Sequence, residues 1–296
     1  MGAIARFSMQ GPRQAAFMAV LFAAIPLMYW VSAAVVALVI LSQGLNKGLN
    51  VMLAALLPGI AWFAAQQDIT VFIVVLGSAG MACILRLSAS LPKAISLSVV
   101  AGLATVWLLP SLSPTWFEIL QQGSQEYAET LQGTMDAQTV KAFEPWILPM
   151  LLGGIGAMIQ LFAIGGLLLG RFWQAKLFNP NGFQAEFHTL RLPYWYVAIA
   201  LGVFFIGVSD SSWVSLMPVI LVPLFIMGIS LVHGVIAMKQ LSSQWLMVFY
   251  ISFLFFLPYM YALLILVALL DILVDFRKRL KDTAEFKTLF FGSLTY

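Results

Sequence analysis

Long apolar runs without a charged residue fill most of this chain, at positions 14–41, 51–66, 69–85, 94–110, 146–170, 193–209, 212–237 and 244–270. About 20 helical residues cross the roughly 30 Å hydrocarbon core of a bilayer, so the pattern predicts an all-α bundle of membrane helices. The first run has 28 residues and the last stays largely apolar to Val274, which is longer than one crossing needs. Each is either one steeply tilted helix or two short segments. Tyr29 and Trp30 sit midway along the first, and Pro258, Tyr259 and Tyr261 along the last. Half-polar rings favour headgroup depth, and proline removes a backbone donor, so both places suit a turn.

The basic residues decide between the two arrangements, because short loops rich in Lys and Arg stay cytoplasmic while acids count for little. If both long runs fold back, fourteen of the fifteen basic residues fall on the side of the termini and Lys141 alone lies opposite. If neither folds back, Lys47, Arg86, Lys93, Arg171, Lys176, Arg191 and Lys239 all face away from the termini and the bias nearly vanishes. The folded-back arrangement is therefore expected, with nine or ten membrane segments. A variant with an unsplit first run and an outside N-terminus misplaces only Arg6 and Arg13 and stands as the alternative. Arg6 and Arg13 also precede a loose Val31-Ser32-Ala33 cleavage pattern, but the apolar character continues to Leu41, so a retained helix is expected.

Composition agrees. The chain is 62% hydrophobic and 9% charged, against about 25% charged in soluble domains, and its mean hydropathy is +0.97. The net charge of +3 sits between the apolar runs, so it points to a membrane surface and not to nucleic acid. One integral domain over 1–296 is expected, in a bacterial inner membrane with both termini cytoplasmic and a basic tail at 276–296. The sizeable polar stretch, within 111–145, carries Glu118, Glu126, Glu129, Asp136 and Glu144 against Lys141, which places it in the periplasm. Phe117, Leu120, Tyr127, Leu131 and Met135 recur there at helical spacing. Two forms fit: an amphipathic helix on the outer membrane surface, or a loosely ordered loop.

Catalytic patterns are scarce. Two histidines, His188 and His233, do not make a His-Glu-x-x-His site, and no Walker loop or Gly-x-Ser-x-Gly elbow occurs. Cys83 is the only cysteine, so no thiolate metal site or internal disulfide is available. No cofactor, metal site or enzymatic activity is expected, and energy for transport would come from a partner or a gradient. Ionisable residues at membrane depth are costly and mark candidate sites. Asp271 and Asp275, four apart, predict one helix face, with Arg279 a turn further to pair with Asp275. They suit a proton or cation relay, or a helix end anchored above the cluster Arg277-Lys278-Arg279. Gln160 and His233 suit hydrogen bonds between helices, or to a ligand. Asp68 and Asp210 suit helix caps. Arg171 and Arg191 bracket a basic connection. Gly166 and Gly170 have the small-xxx-small spacing of close helix packing, with Gly153, Gly154 and Gly156 earlier on the same helix; Ala15, Ala19 and Ala23 recur every four residues.

The stretches Gly170-Arg171-Phe172-Trp173, Phe187-His188-Thr189-Leu190-Arg191-Leu192-Pro193 and 270–279 resemble the YybS-like family of bacterial membrane proteins over most of the chain. That family is distantly similar to the substrate-binding S components of energy-coupling-factor vitamin transporters. The resemblance implies that Ala19-Val20-Leu21-Phe22-Ala23 is an Ala-x-x-x-Ala motif packing on a membrane coupling subunit. The chain departs from S components in its length and its acidic outer stretch. Two functions are carried forward: a subunit that binds or transports a small molecule from the outer side without its own ATPase, and a scaffold or assembly factor. In the second, cytoplasmic basic loops grip anionic lipid or a protein partner.

Overall fold

The computed structural model describes residues 2–279. Among them the regular elements are helices: α1 (Gly2–Ser8), α2 (Pro12–Ala24), α3 (Tyr29–Gln43), α4 (Leu45–Gln66), α5 (Thr70–Ser88), α6 (Leu91–Leu97), α7 (Val99–Leu112), α8 (Pro114–Gln132), α9 (Ala137–Phe178), α10 (Gly182–His188), α11 (Tyr194–Ser209), α12 (Leu216–Met238), α13 (Gln244–Phe255) and α14 (Leu257–Val274), with one 3-10 turn at Ser211–Trp213. Lys281 and Lys287, with most of the basic tail, lie outside the described residues.

Both long apolar runs fold back. Pro26 pushes the residue before it out of the helical region, and Ile25 is extended at φ −93°, ψ 126°. Leu27 then takes φ 62°, and α3 returns along α2, with Ser32 Oγ donating to the Ala19 carbonyl at 2.7 Å. The last run breaks at Phe256, and Pro258 lies in the first turn of α14, where its missing donor costs nothing. Phe225 of α12 meets both Phe253 of α13 and Tyr261 of α14, at ring distances of 5.7 and 5.0 Å, so the pair stands against α12 as a hairpin. The unsplit first run therefore does not occur.

Contacts at the helix ends sort the chain into two poles. At one pole Arg86 donates to the carbonyls of Ile40 and Leu41, Met9 meets Ser42, and Lys176 comes close to Gly2. At the other, Trp62 donates to Ala23, Ser113 to Gln67 and Trp116 to Gln66. Arg171, Arg191 and Arg277 join the first pole, called here the basic end.

Among the described residues, six stretches are long and apolar enough to cross a membrane: α4, α5, α6 with α7, α9, α12 and α14. The remaining difference from nine or ten segments lies in α2, α3, α11 and α13, of 13, 15, 16 and 12 residues. At 1.5 Å per residue these reach only about 18–24 Å. The shortest path across lipid is not required of α3, which is buried from Val31 to Ile40 among α2, α4, α5 and α9.

The central contact joins α3 to α9. A Cβ on Gly166 would stand 2.8 Å from the Ala33 Cβ, and one on Gly170 would stand 2.7 Å from the Ala34 carbonyl oxygen. Their bare backbones let the two helices touch. Ala19 and Ala23 are fully buried too, on the face of α2 that meets α3 and α4. The alanine stripe that the resemblance directs to a coupling subunit is thus used inside the chain.

The polar stretch is helical throughout most of its length, which removes the loosely ordered alternative. Asp136 caps α9, its Oδ1 accepting from the Thr139 amide at 2.9 Å. The 42 residues of α9 reach about 63 Å, twice a hydrocarbon core. Gly153 lies against the Ser215 backbone, just before α12 starts, so the first turns of α9 extend past that level. α8 packs on α9, burying Ala128 of one and Val140 of the other. Part of the α8 apolar stripe is therefore spent on protein instead of being laid wholly on lipid.

Candidate functional site

The polar side chains singled out in sequence converge mainly at the basic end, through a reversal after α9. Asn181 takes φ 68°, a left-handed geometry that asparagine tolerates, and α10 doubles back beneath the last turns of α9. Arg171 is buried there and forks onto Glu186, its Nη2 at 2.5 Å from Oε1 and its Nε at 3.0 Å from Oε2. It also donates to Gln174. Such paired charge-assisted bonds fix orientation as well as distance. On the other face of α10, Ser230 Oγ donates to the Phe187 carbonyl, and the missing Cβ of Gly234 makes room for the His188 carbonyl.

Two arginines then tie the loop after α10 to the end of α14. Arg191 Nη1 reaches Asp275 at 2.6 Å, while its Nη2 donates to the carbonyls of Asp271 and Ile272 at 3.0 and 2.9 Å. Those carbonyls belong to the last helical turn, where the Asp271 carbonyl also accepts from the Asp275 amide at 2.9 Å. Arg277 answers from the other side: it pairs with Asp271 at 2.8 Å and donates to the carbonyls of His188 and Leu190 at 2.8 and 2.9 Å. Each segment supplies the arginine that satisfies the other's carbonyls.

This differs from the expected pairing of Asp275 with Arg279 along one helix. Asp275 takes φ 52° and ends α14, so the common face stops at Asp271. Asp271 is fully buried and turns inward to Arg277, whereas Asp275 turns to Arg191. The Arg279 amide still donates to the Asp275 carbonyl. The Arg191 hydrogen bond lowers the Asp275 carboxyl below the ordinary range. Desolvation works against the charge on Arg191, but the hydrogen bond and charge of Asp275 outweigh it and raise the guanidinium.

The two histidines, 45 positions apart in sequence, approach with ring centroids 6.2 Å apart. His233 Nε2 also lies 2.8 Å from the Tyr250 hydroxyl, which links α12 to α13. Burial lowers the His188 imidazole from its ordinary value and favours the neutral ring. Gln160 sits elsewhere, in the bundle core. Its Nε2 donates to Ser98 Oγ at 2.8 Å across the joint between α6 and α7, and its Oε1 has no partner among the described residues. Asp68 and Asp210 cap the turns that follow them, accepting from the amides of Thr70 and Ser212 at 2.8 Å.

Beside the histidines a groove of about 780 Å³ opens between the end of α9, α10, the end of α12 and the start of α13. Its walls are mostly apolar, with Phe172, Phe183 and Phe187 in contact as rings and Leu246 opposite. Lys176, Asn181, Gln184, His188, His233 and Ser243 supply its polar groups. A smaller hollow of about 490 Å³ lies on the other side of His188, against Arg191, Asp275, Arg277 and Lys278. Among the described residues no three His, Cys, Asp or Glu side chains gather as a metal ion requires.

Sequence reasoning did not rank Glu186, Lys176, His188 or Tyr250. Glu186 carried a readable signal, as the one acid in the connection from Arg171 to Arg191. The partner of His233 did not, because nothing in the sequence says how far α13 folds back.

Fold and site define an all-α, multi-pass integral membrane protein with a polar cluster and a groove at one end. No family model matches the chain, and no curated protein or solved structure matches it.

Proposed function

We propose that this protein is a binding or transport subunit that holds a small molecule in the groove between α9, α10, α12 and α13 and takes its energy, if it moves that molecule, from a partner or a gradient. The observation that carries the reading is the groove itself: a volume within the roughly 300–1,000 Å³ of small-molecule sites, apolar walls, and a few polar groups gathered at one side. We place the basic end in the cytoplasm of a bacterial inner membrane, on the asymmetry of Lys and Arg. The groove then opens on the cytoplasmic side, not the outer one.

Thermal unfolding of the full chain in detergent against a panel of metabolites, vitamins and phospholipids tests the reading. A ligand that stabilises the wild type should lose its effect in Ala237→Trp, because Ala237 is exposed in the groove wall. A panel without a stabilising ligand, or a stabilisation indifferent to that substitution, sinks it. Reporter fusions in the 179–193 connection test the sidedness; a periplasmic signal reverses it.

The rival reading makes the chain a scaffold whose basic loops hold anionic lipid or a protein partner. Of the cations in the 171–191 connection and the basic tail, Arg171, Arg191 and Arg277 are already engaged by Glu186, Asp275 and Asp271. That internal pairing favours the groove.

A further inference from the structure

The groove has an unbalanced charge. Lys176, His188 and His233 line it, no Asp or Glu does, and Glu186, the neighbouring acid on α10, is held by Arg171. Among the described residues no carboxylate stands within ion-pair distance of Lys176. Its depth is equally specific. Measured along α12 from Leu216, His233 lies about 26 Å in at 1.5 Å per residue, close to the far edge of a roughly 30 Å hydrocarbon layer. Phe172, four residues before Lys176 on α9, therefore stands nearer the lipid tails, and Lys176 nearer the headgroups.

We propose that the occupant of this groove is an anionic phospholipid of the surrounding bilayer, its phosphate at Lys176 and His188 and an acyl chain along Phe172, Phe183, Phe187 and Leu246. The inference rests on the groove being a binding site and names the class of molecule it takes. A soluble anion would find the cation but leave the aromatic wall wet. A zwitterionic lipid would fill the wall but bring its own cation to Lys176. Only a molecule with both an apolar chain and net negative charge matches both parts. His188, kept neutral by burial, still offers a ring N–H to a phosphate oxygen.

Native mass spectrometry of the full chain in detergent, with added phosphatidylglycerol, phosphatidylcholine or sodium phosphate, provides the test. Phosphatidylglycerol should bind the wild type about tenfold or more tightly than phosphatidylcholine, the size expected for one charge-assisted contact. Lys176→Glu and the milder Lys176→Gln should each erase that preference. Lys93→Glu, which alters an exposed cation on α6 away from the groove, should keep it. A preference for phosphatidylglycerol that survives both Lys176 variants overturns the proposal, as does displacement of the lipid by sodium phosphate alone. If phosphatidylglycerol shows no preference while another ligand binds and Ala237→Trp blocks it, the lipid falls and the groove's binding role stands. If Ala237→Trp affects no ligand at all, both fall.

Discussion

Asp271→Asn keeps the shape of the side chain and removes the charge that faces Arg277. The Asp271 side chain is 0% exposed and that of Arg277 10%, so water cannot take over the lost partner. Removing one member of a buried ion pair costs about 3–5 kcal/mol, because the other is left charged and dry. Arg277 keeps two acceptors, the carbonyls of His188 and Leu190, which places the expected loss near the lower end, at about 3 kcal/mol. The neighbouring pair supplies the comparison. Arg191 and Asp275 are 31% and 35% exposed, and an exposed pair contributes about 0–1 kcal/mol. Equilibrium unfolding of the full chain in mixed micelles, followed by circular dichroism, should rank Asp271→Asn well below Asp275→Asn. The double variant Asp271→Asn with Arg277→Gln should recover part of the loss, since no buried charge remains. Equal effects at the two aspartates, or a double variant as damaging as the two single losses added, would refute the crossed pairing as the fastening of α14.

Gly170→Ala should cost about 1–3 kcal/mol in the same assay by forcing α3 from α9, while Gly154→Ala, whose Cβ meets nothing within 4 Å, should be neutral or gain up to about 1 kcal/mol. Asp136→Ala removes the cap of α9 and should loosen the α8–α9 turn by about 1 kcal/mol, read as faster amide exchange at 137–140 with the core unchanged. Acid should weaken the fold in two stages. His188 is held below its ordinary 6.5, so the unfolded chain binds the extra proton first and stability falls as pH drops through 6.5. The Asp275 carboxylate is held below 3.8, so its contribution is present above that value and is lost as pH falls through its lower folded value. A pH series of midpoints checks both; His188→Gln should shrink the first stage and leave the second unchanged.

The amino-acid order alone carried the membrane class, the folded-back hairpins and the poles, because lipid punishes unpaired charge and rewards apolar length regardless of which helix packs on which. Tyr29 and Trp30 mark the first turn by the preference of half-polar rings for headgroup depth, Pro258 marks the second through local backbone sterics, and Gly166 and Gly170 announce close packing through spacing. Partner choice is another matter. The reading of Asp275 with Arg279 assumed a helix that continues, and the left-handed turn at Asp275 ends it. Arg191, 84 positions away, then reaches that carboxylate, and Arg277 reaches Asp271 across the loop after α10. Likewise the groove exists only because α10 reverses beneath α9 and α13 folds back toward α12. Such contacts depend on the relative placement of helices far apart in sequence, which side-chain packing in three dimensions sets and local propensity does not.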